Sequence, residues 1–183
     1  MLSIITINKD NRVGLQKTIA SLAHLKDRPF QWICIDSVST DGSVELANQF
    51  KRDGDVVISE RDSGIYNAMN KGIAKAAGEY VLFLNSGDIL APQIDSLDFL
   101  TNLRGQDLGL FGFEIRGQQR PPRTNAWRCW SMPTSHQAII YSKALLDRHP
   151  FDESYRFAAD FEHYLRINRA KLNIAHDQLA LIV

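Results

Sequence analysis

Short apolar runs recur through the first half of the chain, at residues 2–7 (LSIITI), 31–36 (QWICID), 55–60 (DVVISE) and 80–84 (YVLFL), and helix-patterned stretches lie between them. Residues 11–25 set Leu15, Ile19, Leu22 and Leu25 on one face of a helix. Residues 41–52 open on polar capping residues. Residues 63–78 space Ile65, Met69, Ile73 and Ala76 along one helical face and stop at Gly78. The run 80–84 has no polar alternation, the pattern of a strand covered on both sides. Strands and helices alternating on short connections restrict the chain to right-handed crossovers and a mostly parallel sheet.

Beyond Ala91 the pattern loosens. The sequence predicts a helix over 93–103, a strand over 108–115, an arginine- and proline-rich loop over 116–128, and a strand over 136–141. A helix follows over 157–170, with Phe161 and Leu165 expected to anchor it, and one or two short strands close the chain over 172–183. No internal repeat or low-complexity linker divides the 183 residues, which fit one domain.

Charge excludes one class of partner. Lysine plus arginine equals aspartate plus glutamate at 21 each, so no global basic field points to nucleic acid. The longest apolar run is far short of a membrane span, and no signal peptide is expected. Cys34 and Cys129 form neither a CxxC pair nor a disulfide framework. A reduced, cytoplasmic protein is the reading, with peripheral contact at the inner face of the membrane left open.

Polar residues gather where the apolar runs end. The first run leads into Thr6 and Asn8, the second into Asp36, the third into Glu60 and Asp62, and the fourth into Asn85 and Asp88. In an open parallel sheet those ends share one edge, where ligands bind. Polar turns are ordinary at any single strand end; their recurrence at each end points to a common cleft. Neither GxGxxG nor GxxxxGK[ST] follows a strand. A cleft lined by aspartates would repel a polyphosphate unless Mg²⁺ or Mn²⁺ intervened, held by one or two carboxylates. Asp88, behind Gly87, suits that role.

The segments at 3–22, 35–43, 59–88, 135–141 and 159–166 resemble, in order, those of family 2 glycosyltransferases. The block containing "GIYNAMNKGI", "GEY" and "FLNSGD" is the most specific, and resembles short transferases of bacterial exopolysaccharide pathways such as colanic acid. The resemblance implies an inverting enzyme on the GT-A fold, a Rossmann-like three-layer α/β/α sandwich around a mostly parallel mixed sheet. It implies one domain, with residues 1–90 binding the nucleotide sugar and 91–183 carrying the acceptor site and base. Family members typically continue beyond Val183, which makes this second half short.

The same resemblance assigns roles. Thr6, Asn8 and Asp36 would lie against the nucleoside, Asp36 accepting from a uracil N–H, with Asp62, Asn70 and Lys71 completing the donor pocket. "NSGD" falls at the DxD-type motif, making Asp88 the ligand of a divalent metal, with Gly87 where the wider family has aspartate. Asp160 falls at the catalytic base, and His136 and Gln137 beside the diphosphate and acceptor. Trp130 would stack on a sugar face. The implied partners are a UDP-sugar and a glycan or lipid-linked acceptor. A non-catalytic nucleotide-sugar-binding domain is the alternative.

Other polar residues have plainer readings. Asp160 in a first helical turn also suits the helix dipole. Glu162 and Arg166, at i, i+4, read as a surface pair, and Asp41 as a helix cap. His24, His149, His163 and His176 have no metal-ligand spacing.

Overall fold

A computed structural model describes residues 1–25, 30–124, 131–167 and 172–183. The first half is β1 (Leu2–Asn8), α1 (Arg12–Leu22), β2 (Phe30–Asp36), α2 (Ser43–Phe50), β3 (Val56–Ser59), α3 (Ile65–Lys75) and β4 (Tyr80–Phe83). The second half is β5 (Leu108–Ile115), β6 (Gln118–Arg120), β7 (Ile139–Ser142), α4 (Lys143–Arg148), α5 (Ala159–Ile167) and β8 (Ile174–Ile182). One sheet runs through both halves in the order β3-β2-β1-β4-β7-β5-β6, with β8 on β5. Strands β1 to β4 pair in parallel, as helical crossovers require. β7 runs antiparallel to β4 and β5, β6 antiparallel to β5, and β8 parallel to β5.

Side-chain alternation builds a core on each face. Leu2, Ile4, Trp32, Cys34, Tyr80 and Leu82 pack with Leu15, Leu22 and Ala47 beneath α1 and α2. Ile5, Ile33, Ile35, Val81 and Phe83 pack with Met69 and Ile73 of α3, Leu145 and Leu146 of α4, and Ile167 of α5. The result is a three-layer α/β/α sandwich. Each large apolar side chain so buried contributes about 1.5–3 kcal/mol, which fixes strand register far more firmly than backbone pairing alone. Helix α3 lies directly on β1: a Cβ at Gly72 would fall 2.5 Å from Ile5 Cγ2. Cys34 is part of this core, and burial followed by the Asp36 charge pushes its thiol up to about 12, so it is no nucleophile.

The irregular half departs from expectation in places. The helix expected over 93–103 is only a 3₁₀ segment, Asp98–Leu103. Ser96 and Asp98 bond to each other there, through Ser96 Oγ to the Asp98 carboxylate and Asp98 N–H to Ser96 Oγ. Such local bonds compete with a regular helix. His136–Ala138 forms a 3₁₀ turn ahead of β7 rather than strand, and the chain closes on a single nine-residue strand, β8. Helix α5 buries Ala159, His163, Tyr164 and Ile167; Phe161 and Leu165, expected as its anchors, are only partly covered. Trp130, with Trp127, Arg128 and Cys129, lies outside the described residues. Among those described, no helix is long and apolar enough to cross a membrane.

Candidate active site

The parallel register sets Asn8, Asp36 and Ser59 side by side at the strand tips. Their side chains join. Asp36 Oδ1 accepts from Asn8 Nδ2 (2.7 Å) and Ser39 Oγ (2.6 Å), and Oδ2 accepts from Ser39 N–H (2.8 Å) and Ser59 Oγ (2.9 Å). Asn8 Oδ1 in turn accepts from Ser86 Oγ at 2.8 Å, carrying the network to the tip beyond β4. Burial alone would push the Asp36 carboxyl up, but the donors from Ser39, Asn8 and Ser59 outweigh it and hold it below the ordinary range. The fold-back of Ser39 puts Val38 at φ 53. A β-branched residue in that region is strained, by roughly 1–3 kcal/mol.

Thr6 lies one pleat deeper. β1 runs on to Asn8, so Thr6 is fully buried and its Oγ1 accepts from Trp32 Nε1 at 3.0 Å. It braces the floor beneath Asn8. Asp41 caps α2 through Ser43 N–H and Oγ and also accepts from Arg12 N–H.

The turn 85–88 is held from below by α1. Thr18 Oγ1 donates to the Asp88 carbonyl (2.8 Å) and accepts from Gly87 N–H (3.0 Å), while Asn11 Nδ2 donates to the Ser86 carbonyl (3.0 Å). Gly87 sits at φ 108, which explains glycine at this point of the motif. Asp88 Oδ2 accepts from Asn85 N–H at 3.0 Å. Burial pushes the Asp88 carboxyl up, against the pull of the Asn85 amide and the Gln137 side chain. Among the described residues Asn85 Oδ1 is buried with no hydrogen-bond partner. A desolvated carboxylate and an unpartnered amide oxygen on one turn fit a hard divalent cation. Among the described residues no group of three or more His, Cys, Asp or Glu offers a full protein cage, so such an ion would complete its shell with water and substrate oxygens.

Helix α3 grips the second half of the chain. Asn70 bonds both backbone groups of Phe151, donating to its carbonyl (2.9 Å) and accepting from its N–H (3.1 Å). Asn67 and Asn70 each donate to Glu153 at 2.8 Å. Tyr66 Oη donates to Asp160 Oδ1 at 3.0 Å. Lys71 faces the other way, 2.8 Å from the Glu60 carboxylate and 2.7 Å from the Arg61 carbonyl, so it braces the loop that carries Asp62. Asn70 and Lys71, expected in a donor pocket, are therefore tethers of neighbouring loops. Glu162 and Arg166 pair at 2.8 Å.

His136 stacks on Phe83 with ring centres 5.4 Å apart. Burial pushes its imidazole down to about 4, against the opposing pull of the Asp160 charge, so it is neutral at pH 7. Its neighbour Gln137 accepts from Ser135 Oγ at 2.7 Å.

A cleft of about 630 Å³ opens above the network, lined by Asn8, Lys9, Asp62, Asn85, Ser86 and Arg156 among others. Asp62 accepts from Gly64 N–H at 3.1 Å and so shapes the loop before α3. Sequence reading missed Thr18, Ser39 and Ser59, whose hydroxyls organise the tips, and Tyr66 and Arg156. Only the recurrence of hydroxyl residues near the strand ends pointed toward Ser39 and Ser59; Thr18, inside α1, had no such signal.

Comparison with known proteins follows the same line. The model of glycosyl transferase family 2 matches residues 3–161. The chain belongs to glycosyl transferase family 2. This family 2 transferase is 29% identical over 178 residues to a PGL/p-HBAD biosynthesis glycosyltransferase of Mycobacterium bovis, covering 91% of this chain and 69% of the relative. TarS 1-349 of S. aureus, solved in complex with UDP, superposes with a TM-score of 0.77 at 20% identity over 99% of this chain. Mannosyltransferase PcManGT from Pyrobaculum calidifontis, solved with GDP-Man and Mn²⁺, gives 0.75 at 16% identity over the whole chain. The fold is therefore GT-A. The transferase spans 59% of TarS 1-349 and 56% of the mannosyltransferase.

Proposed function

We propose that this family 2 transferase moves a sugar from a UDP-sugar to a hydroxyl of a glycan or lipid-linked acceptor, with inversion, in cell-surface polysaccharide assembly. The observation that carries the reading is the cleft at the strand tips, lined by Asn8, Asp62 and Asn85 and opening above the Asp36 network, in a chain that belongs to this family. The Asp88 turn borders that cleft through Asn85 and Ser86, and Asp160 is tied by Tyr66 to the helix that starts at its Gly64–Ile65 wall. The UDP bound in the TarS structure supports a uridine donor, and the relative named for PGL/p-HBAD biosynthesis supports a glycolipid or glycan product.

In this reading residues 1–90 hold the donor. Asn8 and Asp36, over the Thr6 floor, form the nucleoside end of the cleft, and Asp62 bounds the ribose side on a loop braced by Lys71. Asp88 and Asn85 would hold a Mn²⁺ or Mg²⁺ ion, which when bound supplies Lewis-acid stabilisation of the diphosphate. Residues 91–183 supply the acceptor side. Asp160 takes the proton of the acceptor hydroxyl as its oxygen bonds the anomeric carbon. The bond from that carbon to the diphosphate oxygen breaks with its electron pair leaving on UDP, so no acid is needed on that side. Neutral His136 and Gln137 bound the space between donor and acceptor and keep it partly dry. The reaction belongs to the cytoplasm, where it would act at or near the membrane face.

The test is a pair of measurements. UDP affinity is expected to rise strongly when Mn²⁺ is added. Asp160→Asn is expected to abolish UDP release from a UDP-sugar panel while UDP still binds. Undiminished turnover by that variant removes Asp160 from the mechanism, and binding without any turnover in the unaltered chain favours the non-catalytic reading.

A further inference from the structure

Among the described residues one side-chain hydroxyl bonds to Asp160. Tyr66 Oη lies 3.0 Å from Asp160 Oδ1, although the two residues are 94 positions apart in the chain. The other hydroxyl in its electrostatic neighbourhood, Tyr141, faces the His136 ring instead, with Oη 3.5 Å from Nδ1. The nearby acid Glu162 is taken by Arg166. Tyr66 is itself fixed: its ring is 8% exposed and packs on Phe151 with centres 5.8 Å apart. Burial and then the Asp160 charge push its phenol up, so it stays a donor.

We propose that Tyr66 is a positioning residue for the base, fixing Asp160 through Oδ1 so that Oδ2 faces the acceptor hydroxyl. The proposal rests on the reading of Asp160 as base. An unsupported carboxylate in the first turn of a helix rotates freely between rotamers, and proton transfer tolerates little misplacement. The support has two ends. Asn67 and Asn70 clamp Phe151 and Glu153 at the start of a strap, residues 151–160, and Tyr66 holds Asp160 at its far end. Between them Ala158 sits at φ 59, a left-handed kink that turns the strap into α5. Tyr66 also lies four residues after Asp62, on the helix that begins at the donor loop. A cavity of about 400 Å³ shares Ser63, Gly64, Ile65 and Arg156 with the main cleft and is lined by Tyr66 itself. The helix that begins at that loop thus reaches Asp160 directly through Tyr66.

The experiment compares Tyr66→Phe and Asp160→Asn with the unaltered chain. Each is assayed for UDP release with Mn²⁺, on whichever UDP-sugar of a panel the unaltered chain turns over fastest, with water as acceptor. Phe keeps the ring packing on Phe151 and removes only the hydroxyl. The expected result is a kcat lowered about ten- to hundredfold, with KM for the donor and the affinity for UDP within twofold, while Asp160→Asn is inactive. Unchanged kcat in Tyr66→Phe beside an inactive Asp160→Asn overturns the role of Tyr66 and leaves the base standing. A rise in KM together with lost UDP affinity marks Tyr66 as merely structural and also overturns it. Full activity of Asp160→Asn, or no turnover of any UDP-sugar by the unaltered chain, sinks the underlying reading and this proposal with it.

Discussion

Acidification is expected to destabilise the fold through His163, three residues beyond Asp160 on α5. The imidazole is fully buried, and its Nε2 lies 2.7 Å from the His149 carbonyl. A carbonyl only accepts, so Nε2 carries the proton of the neutral ring. Nδ1 is buried with no partner among the described residues, and the ring packs against Phe151 and Tyr141 with centres 4.6 and 5.8 Å away. A second proton would create a cation with no acceptor, and burial accordingly pushes this histidine from 6.5 down to about 4. Below 6.5 the unfolded chain takes up a proton that the folded chain refuses until about 4, so stability is complete above 6.5 and falls across that window. The loss is about 1.4 kcal/mol per pH unit, roughly 3 kcal/mol in all. His136, also pushed down to about 4, adds a second contribution of the same sign. Asp36, Asp41 and Asp152 are held below the usual carboxylate range and act at lower pH; Asp88, pushed up, opposes the loss slightly. His163→Gln isolates the effect, because the glutamine amide still donates to the His149 carbonyl but does not titrate. Urea unfolding at steps from pH 7.5 to 4 should show a variant less stable at neutral pH whose slope against pH is shallower by about 1.4 kcal/mol per unit. Parallel slopes for the two proteins, or a His163 ring resonance titrating near 6.5, would refute the argument.

Two further outcomes follow from the cleft. Thr18→Val keeps the shape of the buried side chain but leaves Gly87 N–H without its acceptor and the Asp88 carbonyl without its donor. It should cost about 1–3 kcal/mol of stability and weaken Mn²⁺-assisted UDP binding, as calorimetry would show; unchanged UDP affinity would mean that the turn does not depend on α1. Arg156→Ala removes a cation that lines the cleft, and whose partner among the described residues is the Phe157 ring at 5.6 Å. KM for the UDP-sugar should rise about tenfold with kcat little changed, and a steady-state assay that finds KM unmoved would exclude Arg156 from donor binding.

How much of this was legible in the sequence depended on whether a residue acts through the regular lattice or across it. β1 to β4 and their helices were readable because short apolar runs alternate with apolar residues at helical spacing, periods that backbone geometry imposes. The polar strand tips were readable for the same reason, since a parallel sheet has one carboxyl edge. What the tips do was not. Asp36 reads as a free carboxylate, yet its oxygens already hold four protein donors, because the register of β1, β2 and β3 aligns Asn8 and Ser59 with it. Register is a tertiary outcome, invisible in any one strand. Asn70 and Lys71 were readable as a polar helix face, but which loop each would tether depends on where residues 60–61 and 151–153 come to rest.

The same distinction separates the two carboxylates of the chemistry. Asp88 is placed by its own turn: Asn85, Gly87 and Asp88 are consecutive enough that a glycine at φ 108 and one backbone N–H fix the carboxylate locally. Its position follows almost directly from four letters of sequence. Asp160 is placed by distant parts. α3 clamps the strap at Phe151 and Glu153, and Tyr66 holds Oδ1. The proposed base, placed by separated elements, is sensitive to changes far from the cleft, whereas the turn proposed for the metal is sensitive mainly to its own residues and to Thr18 beneath it. Substitutions in α3 that leave UDP binding intact should therefore fall on turnover, and substitutions in 85–88 should fall on binding first.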